Sequence, residues 1–179
     1  QISRADESIG MIADSLEAWG RLDESMIIVF ADHGEEFLEH GSIDHGQTVY
    51  EEVLKVPLVI FCPSLIDRPA RVPRQVGLID LGPTILDALG FEPGGHSEGE
   101  SLMPLVSRNF EGPAVHIRPS GLAADCLVSE AIARRSERKS IRRPPWKLIY
   151  DPFFGPLELY DIASDPREQQ NLIEEKFDT

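Results

Sequence analysis

Three histidines share a carboxylate-rich segment, FADHGEEFLEHGSIDHGQTVYEE, which extends from residue 30 to residue 52. Carboxylate oxygens are the ligands that hard divalent cations prefer, and an imidazole nitrogen adds a ligand of intermediate softness. Asp32 and His33 directly follow an apolar run, and Gly34 lets the chain turn away after them. The acid and the imidazole can then face one ion, so the segment predicts either half of a metal site or a solvated acidic loop.

The other charged residues of this segment have simpler interpretations. Three glutamates are predicted to form a solvated face: Glu35, Glu36 and Glu39. His40 precedes a glycine, which favours a role in turning or capping the chain. His45 follows the acidic loop and precedes another apolar stretch, so the fold can bring it back towards Asp32 and His33.

The elements around the segment predict an α/β sheet. Apolar residues recur at helical spacing before it, and Gly20 is the stop signal of that helix: Ile9, Ile12, Ala13, Leu16 and Trp19. The run MIIVF that follows predicts a strand buried on both faces, and VPLVIF at 56–61 predicts the next strand. Ligands of α/β sheets bind beyond the carboxyl ends of strands, which is where Asp32 and His33 fall.

The chain changes character after about residue 107. Before it, a helix is predicted from Thr84 to Leu89, closed by Gly90. After it, WKLIYD and LELYDI predict paired strands, and the tail predicts a polar segment or short helix. We therefore predict an α/β part over 1–107 and a small antiparallel subdomain over 108–179. The basic cluster from Arg134 to Lys147 is interpreted as a solvated strand edge, with binding of an anionic glycan as the alternative.

Composition excludes several classes of protein. The 179 residues are 41% apolar and 27% charged, which is the composition of a globular domain and not of a disordered chain. The net charge of −14 argues against nucleic acid as a partner. The sequence contains no run of 18 apolar residues, so it predicts no transmembrane segment. The first residue is Gln1, so we expect this sequence to be a piece of a longer protein. Two cysteines, Cys62 and Cys126, do not indicate whether they pair or in which cell compartment the protein lies.

Several motifs, in order, resemble the second half of the catalytic domain of the sulfatase family. They are DHGEE, EHG, HG and YEE within 32–52, KVPL at 55–58, LIDLGPTIL at 78–86, ESL at 100–102, WKLI at 146–149, ELYD at 158–161, and the later DP and NL pairs. Glu100 stands where the family has Arg in its Gly-Arg-Ser-Leu segment. The agreement covers most of the chain and is far more specific than any single motif.

The resemblance implies an alkaline phosphatase-like fold, an α/β sheet flanked by helices, which this chain contains in part. It also implies hydrolysis of sulfate esters at one divalent cation. That cation is usually calcium, with manganese or magnesium as alternatives. The residues matching Asp32 and His33 bind the metal in the family. The position matching His45 contacts the sulfate group, so His45 is expected to bind substrate and to act in catalysis.

The family's nucleophile is absent from this sequence. It is a formylglycine made from the first residue of Cys/Ser-x-Pro-x-Arg, and Cys62-Pro63-Ser64 fails that spacing, so Cys62 is interpreted as structural. The nucleophile and an Asp-Asp pair of metal ligands are therefore expected in an N-terminal region upstream of Gln1, the natural partner of this chain. Alone, the chain is expected to be nearly inactive. The alternatives are a phosphodiester or phosphonate monoester hydrolase of the same superfamily and a non-catalytic sulfatase-like module.

Overall fold

The computed structural model describes residues 2–92, 97–107, 125–132, 137–153, 155 and 157–177. The helices are α1 Ile2–Ala18, α2 Glu51–Leu54, α3 Leu81–Ala88, α4 Met103–Val106 and α5 Ile173–Phe177. The strands are β1 Ile27–Phe30, β2 Glu36–Phe37, β3 Ile43–Asp44, β4 Leu58–Phe61, β5 Leu127–Ala131, β6 Arg138–Arg143, β7 Trp146–Tyr150 and β8 Glu158–Asp161. The last helix agrees with the prediction for the tail.

The strands form three antiparallel groups. β1 pairs with β4, β2 pairs with β3 as a small hairpin, and β5 to β8 form a four-stranded sheet in chain order. Within that sheet Trp146 faces Asp161 and Leu148 faces Leu159. The predicted pairing of WKLIYD with LELYDI is therefore confirmed. The proposed division near residue 107 falls beside residues outside the described ones and stays a prediction.

The apolar strand β1 is less buried than its sequence predicts. Ile27, Ile28 and Val29 are half-buried, and Phe30 is 49% exposed. On the paired strand, Val59 is exposed as well. Burial on both faces needs covering layers, and among the described residues β1 pairs only with β4. The prediction of a strand buried on both faces is thus wrong for this chain.

Helix α1 forms as predicted, but its apolar stripe is not packed. Gly20, at φ +66°, follows the helix in the left-handed region that favours glycine. No residue of α1 is buried, and Ile12 and Trp19 are exposed. The apolar periodicity therefore predicted the helix correctly. Burial of the apolar face of α1 would need a packing element that the described residues do not supply.

Helix α3 begins at Leu81, three residues before the predicted start. A short 3-10 turn over 78–80 leads into it, and the buried Asp80 carboxylate accepts the N–H groups of Gly77 at 2.8 Å and Glu100 at 2.9 Å. These hydrogen bonds hold the turn that leads into the helix. Gly90, at φ +78°, follows the helix as expected.

The core joins the four-stranded sheet to the segment that precedes α2. Its buried members are Val49, Tyr50, Ala131, Ile149, Tyr160 and Ile162. This contact attaches the carboxyl-terminal sheet directly to the residues that follow the acidic loop. None of the helices in the described ranges is both long and apolar enough to cross a bilayer.

Candidate functional site

Asp32 and His33 lie just beyond the end of β1, on the same side of the backbone. The Asp32 Oδ1 atom accepts the His33 N–H at 3.0 Å and lies 3.7 Å from His33 Nε2. The Asp32 side chain is 84% exposed and that of His33 is 41% exposed. The two groups are therefore accessible and can approach one ligand together.

The ring of His33 is held in one tautomer. Its Nδ1 lies 2.8 Å from the Gly34 carbonyl oxygen, and a carbonyl can only accept, so Nδ1 carries a proton. The hydrogen bond to Gly34 is the main cause that raises the pKa of His33; burial acts against it, and the charges of Asp32 and Glu35 add to it. In the neutral ring Nε2 then keeps its lone pair, which is the state a metal ligand needs.

Gly34 and Glu35 fix this turn against the end of α2. Gly34 donates its N–H to the Val53 carbonyl at 2.7 Å, and Glu35 donates to the Glu52 carbonyl at 3.1 Å. A Cβ atom at position 34 would lie only 1.9 Å from the Glu52 oxygen. A residue without a side chain is therefore required here.

The β2–β3 hairpin brings His45 back to His33. Their rings stack with centroids 3.9 Å apart and planes at 24°. Three residues that the sequence singled out, Asp32, His33 and His45, thus lie in one exposed group. Their roles as ligands and catalyst stay predictions.

Asp44 and Glu35 complete this group. Asp44 Oδ1 lies 2.9 Å from His45 Nδ1, and Glu35 Oε1 lies 3.3 Å from the same atom. Ligand atoms of Glu35, Asp44 and His45 all fall within 4.8 Å of one another, close enough to share a cation. We call the five residues Asp32, His33, Glu35, Asp44 and His45 the acidic rim.

Sequence reasoning missed Asp44 and assigned Glu35 to a solvated face. A usable signal was present, because the sequence contains Asp-His-Gly twice, at 32–34 and at 44–46. Both turns share one hydrogen bond: the aspartate Oδ1 accepts the N–H of the following histidine at 3.0 Å in each. Asp44 has φ +92°, a conformation that L-residues rarely adopt, and it sits where the hairpin ends.

Glu36 corrects the prediction of a solvated glutamate face. Its side chain is fully buried and accepts the N–H groups of His40 at 3.2 Å and Ser42 at 2.8 Å and the hydroxyl of Thr48 at 3.0 Å. The strand alternation of β2 turns this one carboxylate inwards, where three donors converge. Glu39 is exposed, as predicted, and accepts the Phe37 N–H.

His40 holds the loop to the rest of the chain, in agreement with its predicted structural role. Its Nδ1 lies 2.6 Å from Glu52 Oε1, its Nε2 lies 3.0 Å from the Glu168 carbonyl, and its ring stacks on Tyr50. Burial lowers the pKa of His40, but the hydrogen bonds to Glu52 and to the Glu168 carbonyl outweigh burial and raise it overall.

The basic cluster is not a solvated strand edge. β6 lies between β5 and β7, and Lys147 on β7 is fully buried. The described basic side chains each pair with a carboxylate: Arg138 with Asp151, Lys139 with Glu130, Arg142 with Glu51, Arg143 with Asp125, and Lys147 with Glu51 and Glu168. Arg134 and Arg135 lie outside the described residues. The prediction missed that the fold brings acidic residues from the sheet, from α2 and from the loops next to these cations.

Cys62 and Cys126 are both buried, and they form no disulfide bond with each other. Cys62 follows the last residue of β4, and its sulfur lies 3.5 Å from the Ser64 hydroxyl. Burial next to a strand agrees with the structural role predicted for Cys62.

Comparisons with known proteins support one family. Residues 1–91, half of the chain, match the sequence profile described as Sulfatase. The N-acetylglucosamine-6-O-sulfatase of Bacteroides thetaiotaomicron is 33% identical over 173 residues, which cover 94% of this chain and 30% of that protein. The chain thus spans about a third of the length of the curated relatives it matches.

Solved structures give the same picture for the fold. A protein solved in complex with its substrate D-glucosamine-2-N,6-O-disulfate superimposes with a TM-score of 0.75 at 28% identity, over 96% of this chain and 34% of that one. The phosphonate monoester hydrolase of Silicibacter pomeroyi superimposes with a TM-score of 0.74 at 25% identity, over 96% and 35%. A protein whose substrate is a disulfated glucosamine and a phosphonate monoester hydrolase therefore share this arrangement of elements.

Proposed function

Because this chain belongs to the sulfatase family, we propose that it supplies the acidic rim of an active site that hydrolyses sulfate esters at a divalent cation. Its fold is the alkaline phosphatase-like α/β fold of that family, present in part. The observation that carries the proposal is the convergence of two Asp-His-Gly turns, whose histidine rings stack at one exposed edge. The activity would be that of a complete protein, since this chain spans about a third of the length of the relatives it matches.

Asp32 and His33 would hold the cation. The donor set fits a metal, because Asp32 offers exposed carboxylate oxygens and the hydrogen bond from Nδ1 to Gly34 leaves His33 Nε2 available. Oxygen donors favour calcium, with manganese or magnesium as alternatives. Calcium takes roughly six to eight ligands, so further carboxylates are needed from the N-terminal region. Once bound, the ion would supply positive charge that neutralises the sulfate oxygens.

His45 would face the sulfate ester. Asp44 and Glu35 both approach its Nδ1 atom, so they hold a proton there and fix the direction of the ring. Nε2 is then the atom for the substrate, where it can orient the sulfate group or assist the departing alcohol oxygen. The nucleophile, a formylglycine in this family, would come from the N-terminal region.

A phosphonate monoester or phosphodiester hydrolase is the second candidate. The similarity to the Silicibacter pomeroyi enzyme favours it, since that protein shares the fold at similar identity. A non-catalytic sulfatase-like module is the third, and the convergence of the acidic rim weighs against it. The residues that separate the three candidates would lie in the expected N-terminal region.

Substitution of Asp32 in the complete protein tests the proposal. We expect Asp32→Ala to lower aryl sulfate hydrolysis by at least a thousandfold and to abolish calcium binding in calorimetry, because the exposed carboxylate contributes to the rim and not to packing. Asp23→Ala, an exposed acid ahead of β1, is the matched control and should keep wild-type activity.

The outcomes separate the candidates. Full activity in Asp32→Ala would contradict the metal assignment. Faster turnover of aryl phosphonate or phosphate diester than of aryl sulfate by the wild-type protein would favour the second candidate. Absence of both calcium binding and turnover in the wild-type protein would favour the non-catalytic module.

A further inference from the structure

A buried group of charges connects the carboxyl-terminal sheet to α2. Lys147 on β7 and Glu168 are both fully buried, and the Lys147 ammonium lies 2.7 Å from Glu168 Oε1 and 3.2 Å from Glu51 Oε1. Arg142 on β6 binds Glu51 through two hydrogen bonds, at 3.0 and 3.1 Å. We call Glu51, Arg142, Lys147 and Glu168 the charge network.

The charge network is balanced and must form as a unit. Two cations meet two carboxylates, so no net charge is buried. Removing one partner of a buried ion pair leaves an uncompensated charge in a medium that solvates it poorly. The remaining partners must then move towards water, which makes the network sensitive to each of its members.

The charge network holds the first residue of α2. Glu168 Oε2 accepts the backbone N–H of Glu51 at 2.6 Å, and the Glu51 side chain is the shared partner of Lys147 and Arg142. A helix of four residues cannot be fixed by its own hydrogen bonds, because one turn orders more residues than it joins. The position of α2 therefore depends on these outside contacts.

The two middle residues of α2 hold the acidic rim. The carbonyls of Glu52 and Val53 accept the N–H groups of Glu35 and Gly34, directly next to His33. The space between Gly34 and the Glu52 carbonyl is too small for a Cβ atom, so the turn follows any shift of α2. A movement of Glu51 is thus transmitted along a single turn of helix to the rim.

We propose that Lys147 is a positioning residue of the candidate site, which acts through Glu51 and Glu168 to fix α2 and so to hold Asp32 and His33 in place. The inference rests on the proposed function, because only that function makes the acidic rim part of an active site. Its structural part, the coupling of Lys147 to the Gly34–Glu35 turn, can be measured without any activity. Nothing in the sequence connects residue 147 with residues 32–35, which lie more than a hundred positions away.

The test uses the complete protein with Lys147→Met, which keeps an unbranched side chain shorter by one heavy atom and removes its charge. Lys139→Met is the matched control, because Lys139 lies on the neighbouring strand, is half exposed and pairs with Glu130 at the surface. Hydrogen exchange is followed in peptides that contain the Gly34 and Glu35 amides, with peptides of α1 as an internal reference. Calcium affinity is measured by calorimetry on the same samples.

We expect Lys147→Met to speed exchange at Gly34 and Glu35 at least tenfold and to weaken calcium binding at least tenfold, while Lys139→Met changes neither. A folded Lys147→Met variant with a lower Tm but wild-type exchange at these amides would overturn the proposal. If Lys147→Met does not fold, Arg142→Lys keeps the charge and loses the bidentate contact; it should speed exchange about threefold, and wild-type exchange would again overturn the coupling. If the wild-type protein binds none of calcium, manganese and magnesium and has no turnover, the proposed function alone is refuted, since the exchange result still decides the role of Lys147.

Discussion

The acidic rim and the charge network are both built from ionisable side chains and both contact α2, but they differ in their exposure to water. In the rim, Asp32 is 84% exposed and the rings and carboxylates around it remain 39–43% exposed. In the charge network, Lys147 and Glu168 have no exposed surface. The rim can therefore exchange its contacts for those of a ligand, whereas the charge network cannot lose a contact without leaving a buried charge. The density of charged side chains does not distinguish the candidate site from the residues that support it. The burial of those side chains does.

Substitution of the buried Glu36 and of the rim residue Glu35 gives the largest expected difference in stability. Glu36→Ala leaves three donors without an acceptor, and hydrogen bonds to a buried carboxylate contribute more than neutral ones, so we expect a loss of about 3 kcal/mol in the free energy of unfolding. Glu35→Ala, on the rim, should change it by less than about 0.5 kcal/mol. Denaturant titration of both variants in the complete protein measures the difference. Equal losses of unfolding free energy would contradict the distinction between buried supporting residues and the exposed rim.

Gly34 tests the junction between the rim and α2. Gly34→Ala places a Cβ atom against the Glu52 carbonyl, and the turn must move away from it, so calcium affinity should fall about tenfold, or about 1.4 kcal/mol. Gly10→Ala is the control: a Cβ there meets nothing within 4 Å, and alanine favours the helix by about 0.5–1 kcal/mol. Wild-type calcium affinity in Gly34→Ala would show that the rim does not depend on its contact with α2.

His40 gives the smallest expected effect, seen as a pH dependence. Its folded-state pKa is raised, so the protonated ring stabilises the fold fully below the ordinary value of 6.5, and this contribution is lost as the pH rises through the folded-state pKa. The unfolding free energy of the wild-type protein should therefore decline above pH 6.5. His40→Gln should remove that part of the decline, and an unchanged pH profile in the variant would exclude His40 as its source.

The local elements were predictable because they depend on short-range patterns. The helix ending before Gly20, the strand run before Asp32, the paired strands around residue 152 and the helix closed by Gly90 all follow from apolar spacing and from glycine. The repeated Asp-His-Gly triplet was also visible, although Asp44 was overlooked. The buried position of Glu36 was not predictable, because its neighbours Glu35 and Glu39 have the same chemistry and only the hairpin decides which one faces inwards.

The sequence by itself determined the residue types, the order of the motifs and the placement of an acid and an imidazole after a strand, because these depend on neighbours a few positions apart. Only the tertiary structure decided that His45 stacks on His33, that Lys147 pairs with Glu51 and Glu168, and that the apolar faces of α1 and β1 stay uncovered among the described residues. The physical reason is that burial and charge pairing depend on residues distant in the chain, whose approach is set by the packing of whole elements.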